Sequence, residues 1–207
     1  MPMPDSEKYQ QFPEACIVMF AKAPVPGKVK TRLIPALGEQ GALDLYLWLL
    51  QRQMLVLNNS RLCSTQLWVD QNPEYPVFKQ FKGVIKVQKG QSLGDRMADA
   101  VQTVLRHYKA VLIIGSDCPE IDDAYLEQAL LRLNDNATDV VLGPALDGGY
   151  VLIGMKQACE ALFEGIEWGT ESVRRDTLKL ISSHGLTHAE LPFLRDIDTA
   201  EDLKSLL

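Results

Sequence analysis

Short apolar runs alternate along this chain with longer segments whose apolar residues recur at helical spacing. After a polar start, Ala15 to Phe20 reads as a first strand. Gln66 to Val69 and Val84 to Val87 read as short strands separated by a proline-containing segment. Val111 to Ile114 has no polar face at all, which is the mark of a buried parallel strand. Asp139 to Leu142, Tyr150 to Ile153 and Leu186 to Leu191 complete the strand set. Gly41 to Leu57 carries leucines at 43, 47 and 50 and is predicted helical. Leu93 to Tyr108, Ala124 to Leu133, Gln157 to Phe163, Thr170 to Ser182 and Ala200 to Leu207 are predicted helices as well. Strands alternating with helices imply an α/β protein of three layers, α/β/α, with a mostly parallel central sheet covered on both faces.

The length of 207 residues suits one such domain over 15–207, behind a flexible tail at 1–14, and no repeat or linker divides it. Composition changes the picture by exclusion. Hydrophobic residues at 46% and charged ones at 23% argue against disorder. A formal net charge of −6 argues against a non-specific nucleic-acid binder. Cys16, Cys63, Cys118 and Cys159 lie far apart with no C-x-x-C pairing, and the three histidines are scattered, which disfavours zinc. Free thiols point to a reducing cytoplasm. The polar N-terminus has no signal-peptide core, and no window approaches the ~18 consecutive apolar residues of a membrane helix. A cytoplasmic protein acting on small molecules is expected.

Three segments carry candidate chemistry. Val111 to Ile114 stops at Gly115-Ser116 and leaves Asp117 on a turn closed by Pro119, at the carboxyl end of a central strand where open α/β sheets bind ligands. Two readings of Asp117 stand side by side: a carboxylate holding a metal ion against phosphates, or a cap for the next turn. The loop Ala21 to Leu33 leaves the first strand with Lys22, Lys28, Lys30 and Arg32, stiffened by prolines. Arginine by bidentate contact and lysine as a point charge suit a pyrophosphate, against the plainer reading of a solvated basic loop. In Gly143 to Tyr150, Gly148 and Gly149 follow Asp147 and permit close backbone approach. A loop over a small acceptor, with Asp147 accepting a hydrogen bond or proton, is compatible there with a tight hairpin.

Asp196 and Asp198 form a further carboxylate pair, ahead of Thr199, a helix N-cap candidate. Trp168, ahead of the candidate N-cap Thr170, suits either stacking on a base or sugar or ordinary packing. The G-x-x-x-x-G-K-[ST] loop fails because Val29 follows Lys28, and G-x-G-x-x-G is absent. A haloacid-dehalogenase-like reading of Asp196-x-Asp198-x fails because only eight residues follow Thr199.

In order, FAKAPVPGKVKTRL, GSDCP, GPALDGGY, WGT and DIDTAEDL resemble the rSAM/selenodomain-associated transferase family, of the nucleotide-diphospho-sugar transferase superfamily with the GT-A fold. The resemblance spans roughly Ala15 to Leu207. It implies a nucleotide diphosphate at the carboxyl edge of the sheet and a divalent ion, Mg²⁺ or Mn²⁺, held by Asp117 with Asp198 and its neighbour Asp196. The resemblance makes Lys28, Lys30 and Arg32 a phosphate loop, and with Lys22, Gly27 and Ser116 they are the expected nucleotide and phosphate contacts; Gly148, Gly149 and Trp168 are the expected acceptor contacts. Asp147 and Asp117 would be catalytic. The chain departs from sugar nucleotidyltransferases in a glycine-poor first loop, and from D-x-D glycosyltransferases because Cys118 follows Asp117. The family resemblance favours glycosyl transfer from a nucleotide-diphospho-sugar to a small-molecule acceptor as the expected activity. Guanylyltransferase-like nucleotidyl transfer and a non-catalytic nucleotide sensor stand as alternatives.

Overall fold

The computed structural model describes residues 10–206. Seven strands form one sheet: β1 (Ala15–Ala21), β2 (Ser64–Val69), β3 (Val84–Val87), β4 (Ala110–Ile114), β5 (Val140–Pro144), β6 (Tyr150–Met155) and β7 (His188–Glu190). Its order is β3-β2-β1-β4-β6-β5-β7, and β6 alone runs antiparallel to its neighbours. The helices are α1 (Ile34–Asn59), α2 (Leu93–Leu105), α3 (Asp123–Asn134) and α4 (Val173–Ser183). The mostly parallel α/β/α arrangement expected from the pattern is borne out.

The layering follows from the two-residue period of a strand. In β1, Ile17 and Met19 face the core shared with Tyr46, Leu50 and Met54 of α1 and Leu126 and Leu130 of α3. Cys16 and Val18 face the opposite core, with Met97, Val101 and Val104 of α2 and Ile181 of α4. A strand buried on both faces must be apolar throughout, as Ala15–Ala21 is.

The structure corrects several predicted bounds. α1 begins at Ile34 rather than Gly41, bending at Gly38 (φ 71°), a backbone angle glycine adopts freely. Pro35 suggested a loop, yet it lies in the first turn, where its missing N–H costs nothing. Gln157 to Phe163 and Ala200 to Leu207 yield only 3₁₀ segments, Glu160–Phe163 and Asp202–Leu206. Neither segment has a long apolar face to dock, and short helices are marginal without one.

Part of the stretch expected as a flexible tail at 1–14 is held in place. Gln11 and Phe12 donate backbone hydrogen bonds to Arg61 and Leu62, and Phe12 packs on the core; residues 1–9 lie outside the described residues. Among the described residues no helix is long and apolar enough to cross a membrane.

Candidate active site

From β1 the chain moves to β2 and β3 on one side, then crosses to β4 on the other. The loops leaving β1 and β4 therefore part at the carboxyl edge and open a crevice, the place where such sheets take ligands. Both ends of that crevice are tied to α1. The Tyr46 hydroxyl accepts from the Lys22 N–H (2.8 Å) and donates to the Lys22 carbonyl (2.6 Å). Burial, and after it the charge of Asp117, keeps this phenol well above its ordinary pKa, so it remains a donor. Asp70, just beyond β2, accepts from the Ala23 N–H at 2.7 Å. Across the crevice, Arg52 Nε donates to the Pro119 carbonyl (2.9 Å) and Gln53 to that of Cys118.

Lys30 adopts the left-handed conformation (φ 48°, ψ 41°), which costs a non-glycine residue about 1–2 kcal/mol. The Lys30 side chain is turned inward, leaving 3% of it exposed, against 60% for Arg32. Its Nζ lies 3.0 Å from Asp117 Oδ2 and 3.8 Å from Asp198 Oδ1. Arg32 Nη1 meets the other oxygen of Asp198, Oδ2, at 2.6 Å. The two acidic segments are stitched by one backbone bond, from the Ile197 N–H to the Asp117 carbonyl (3.0 Å), with Ile197 buried against Leu33, Ala42 and Leu49. Although Nζ sits at ion-pair distance from Asp117, no acceptor lies in hydrogen-bonding direction from it. A buried ammonium with protons left to give is poised for an anionic ligand. These groups line a cavity of about 620 Å³ together with Lys22, Lys28 and Ser116.

A second cavity, about 230 Å³, adjoins the first and shares Phe20, Leu93, Gly115 and Gly169 with it. The β5–β6 hairpin and the C-terminal segment build its rim. Leu194 donates to the Pro144 carbonyl and accepts from Leu146, and this pairing brings Asp196 beside Asp147. Burial, and then the charge of Asp147, pushes the Asp196 carboxyl up to about 6. Asp147 Oδ1 accepts from the Gly149 N–H (2.8 Å), fixing the turn. Trp168 packs edge-on against Tyr150 (6.2 Å, 86°) and faces this cavity, so packing and ligand contact coincide.

Gly148 has a backbone requirement. At φ 91° a Cβ there would lie 2.2 Å from the Glu171 carbonyl oxygen, and its own carbonyl accepts from Arg174 N–H (3.0 Å). Gly148→Ala is expected to cost about 2 kcal/mol from strain and overpacking, lowering Tm by roughly 4–8 °C in a scanning melt. The Arg174 side chain grips Glu190 through two 2.6 Å bonds, tying α4 to β7 behind the hairpin. Those bonds hold the Glu190 carboxyl below its ordinary 4.5, so their contribution is present above that pH and is lost as pH falls through the lower folded value. Glu190→Gln should therefore destabilise by at most about 1 kcal/mol near neutrality and by less below pH ~4, checked by melts across pH 3–7.

The structure thus gathers Lys22, Lys28, Lys30, Arg32, Ser116, Asp117 and Asp198 in one cavity. Asp147, Gly149, Trp168 and Asp196 gather in the other. Asp196, expected beside Asp198 as a metal ligand, lines the second cavity instead, because the extended chain turns along the hairpin there. Gly148 backs onto Glu171 rather than lining either cavity. Gly27 (φ 72°) shapes the basic loop without lining the crevice. Two expected caps differ: Thr170 donates to the Glu167 carbonyl while α4 starts at Val173, and Thr199 gives its N–H and hydroxyl to Asp202.

Sequence reasoning missed Tyr46, Gln88 and Arg96, which also line the first cavity. Gln88 donates to the Trp68 carbonyl (2.8 Å) and accepts from Arg96 (3.4 Å), closing the crevice on its far side. The capping box Ser92–Asp95 at the start of α2 was the available signal, since it places Arg96 in the first turn.

The carboxylates at 117 and 198 converge on one cation already, the Lys30 ammonium, so their donor set fits a hard divalent ion that takes two carboxylates plus phosphate oxygens. Among the described residues no three His, Cys, Asp or Glu side chains would hold an ion by themselves, so phosphate oxygens would have to complete the shell.

The family described as uncharacterized protein conserved in bacteria (DUF2064) matches residues 54–170. A candidate nucleotide-diphospho-sugar transferase from Desulfovibrio desulfuricans G20 superposes with a TM-score of 0.85 at 34% identity, over 94% of this chain and 87% of that one. A cytidylyltransferase from Leptospira borgpetersenii gives 0.60 at 18% identity over 94% and 85% of the two chains. A 4-diphosphocytidyl-2C-methyl-D-erythritol synthase from Anaerococcus prevotii gives 0.60 at 11% over 93% and 94%. The last two share the fold. No protein of curated function is similar in sequence.

Proposed function

Because this chain belongs to the DUF2064 family and is a transferase of the nucleotide-diphospho-sugar transferase type, we propose that it transfers a glycosyl group from a nucleotide-diphospho-sugar to a small acceptor. The observation that carries the reading is the juxtaposition of two unlike cavities: one basic, around Lys30 between Asp117 and Asp198, and one with a carboxylate pair and an apolar wall. A diphosphate fits the first, and the reacting carbon would then lie at the shared boundary of Phe20, Leu93 and Gly115.

Asp117 and Asp198 would hold Mg²⁺ or Mn²⁺, which supplies charge neutralisation on the departing diphosphate. Lys22, Lys28 and Lys30 bind the phosphates and stabilise charge as it develops on them. Asp147, fixed by the Gly149 N–H, receives the proton of the acceptor nucleophile. The new bond joins that nucleophile to the sugar carbon, while the bond from this carbon to the diphosphate oxygen breaks and its electron pair leaves on the nucleoside diphosphate.

The concentration of lysine around the phosphate cavity favours a second reading, nucleotidyl transfer from an NTP. There the acceptor oxygen would attack the α-phosphorus and pyrophosphate would depart. Incubation with nucleotide sugars and with NTPs, each with Mn²⁺, separates the two: nucleoside diphosphate release supports glycosyl transfer and pyrophosphate release the alternative. A thermal-shift panel precedes it, since a ligand at about 100 times its Kd stabilises by about 2.7 kcal/mol. Nucleotide binding with neither product would leave a nucleotide sensor.

A further inference from the structure

Charge divides sharply between the two cavities. Every basic side chain that lines either one, including Lys22, Lys28, Lys30 and Arg96, belongs to the larger. The smaller has no lysine, arginine or histidine in its wall, and its charged members are Asp147 and Asp196. Arg174, the cation behind the hairpin, is committed to Glu190 by two 2.6 Å bonds, and the Lys30 ammonium lies 3.0 Å from Asp117. The rest of the wall is mostly apolar, with Met97, Ile113, Val151 and Trp168 among it, and Tyr150 and Thr170 bring the remaining hydroxyls.

We infer that the acceptor is a non-anionic nucleophile, an alcohol or amine on a compact apolar body, and that phosphorylated and carboxylated acceptors are excluded. This rests on the transferase reading above and adds the class of the second substrate. The physical reason is that an anionic group entering the cleft loses hydration and meets two carboxylates, while the nearest cations, Lys30 beside Asp117 and Arg32 on Asp198, lie in the larger cavity and are already paired. A hydroxyl or ammonium instead donates to the oxygens of Asp147 and Asp196, while the body packs on Met97, Val151 and the Trp168 ring. The volume, about 230 Å³, lies below the usual range of pockets for drug-sized ligands, so the acceptor is small. The basic cavity next door makes the exclusion useful: phosphate belongs to the donor alone, so an anionic metabolite is turned away from the acceptor side by the same two residues that bind the hydroxyl.

A matched trio tests this: 3-phenylpropan-1-ol, 3-phenylpropylamine and 3-phenylpropanoate differ in the terminal group alone. Binding to the full chain is followed by ligand-observed NMR and by the indole N–H signal of Trp168, identified with Trp168→Phe. The alcohol and amine are expected to bind at millimolar concentration and the carboxylate at least about tenfold more weakly. In the double variant Asp147→Asn with Asp196→Asn the carboxylate should gain and the amine lose, with the alcohol little changed. This gain is one a misfolded variant could not give. Carboxylate binding as tight as the alcohol's, no response from any of the three, or an unchanged preference in the double variant overturns the inference. Parallel samples receive a nucleoside diphosphate with Mn²⁺. Failure of the nucleotide to bind overturns the transferase reading itself, whereas nucleotide binding beside a cleft that accepts the carboxylate overturns the acceptor class alone.

Discussion

Asp117→Asn is expected to lower turnover by about 10²-fold or more, the scale of losing one preorganised electrostatic group. The substitution keeps the shape of the side chain and a partner for the Ser116 hydroxyl, 3.2 Å away, and removes the charge alone. The backbone around it does not depend on that charge. Cys118 and Pro119 are held from α1 by Gln53 and Arg52, and the Asp117 carbonyl by Ile197. Asp117 is 45% exposed, but its partner Lys30 is 3% exposed and would keep only Asp198 at 3.8 Å, so Tm should fall modestly while the protein stays folded. Loss of rate far beyond what a modest change in stability explains, together with weaker Mn²⁺-dependent nucleotide binding, is the expected pattern. An Asn variant with unchanged turnover and unchanged metal affinity would remove Asp117 from the mechanism.

Much of the site was legible in the chain because its parts lie at ends of strands. The apolar run before Gly115 and the one before Lys22 are buried strands, and adjacent parallel strands must deliver their following loops to the same edge. That the segments at 117 and 198 share one site with the basic loop was expected only through resemblance, since no local rule places a C-terminal segment against β4, and their meeting at the Lys30 ammonium was not expected at all. The tertiary agents that do so are a single backbone bond at Ile197 and its buried side chain. Asp196 was misplaced for the same reason: its direction is set by strand-like pairing of Leu194 with Pro144 and Leu146, invisible without the hairpin. The left-handed turn at Lys30 gave no warning either, because lysine has no preference for that region. Gln53 gave no readable hint that α1 served the Asp117 turn, because it follows Gln51 and Arg52 in the sequence and only the fold shows that it is buried.

Lys30→Met should lower turnover by about 10²–10³-fold, since it deletes a preorganised cation from the phosphate cavity. It should also do something a merely structural lysine would not. In the unliganded protein two carboxylates, at 117 and 198, face two cations, Lys30 and Arg32, so the cluster is neutral by formal charge. A divalent ion entering alone would compete with an ammonium already 3.0 and 3.8 Å from those carboxylates and would leave two surplus positive charges. Arriving with a diphosphate it meets no such excess, because the phosphates take up Lys30, whose protons lack aligned acceptors. Metal and nucleotide are thus expected to bind cooperatively in the wild type. Removing Lys30 should raise affinity for Mn²⁺ alone by about tenfold, a modest share of the repulsion between neighbouring cations, while weakening the metal–nucleotide pair. Mn²⁺ titration by electron paramagnetic resonance, with and without nucleoside diphosphate, reads both quantities without any turnover. If metal alone binds the variant no better than the wild type, Lys30 does not guard the two carboxylates, and its burial between them serves the fold.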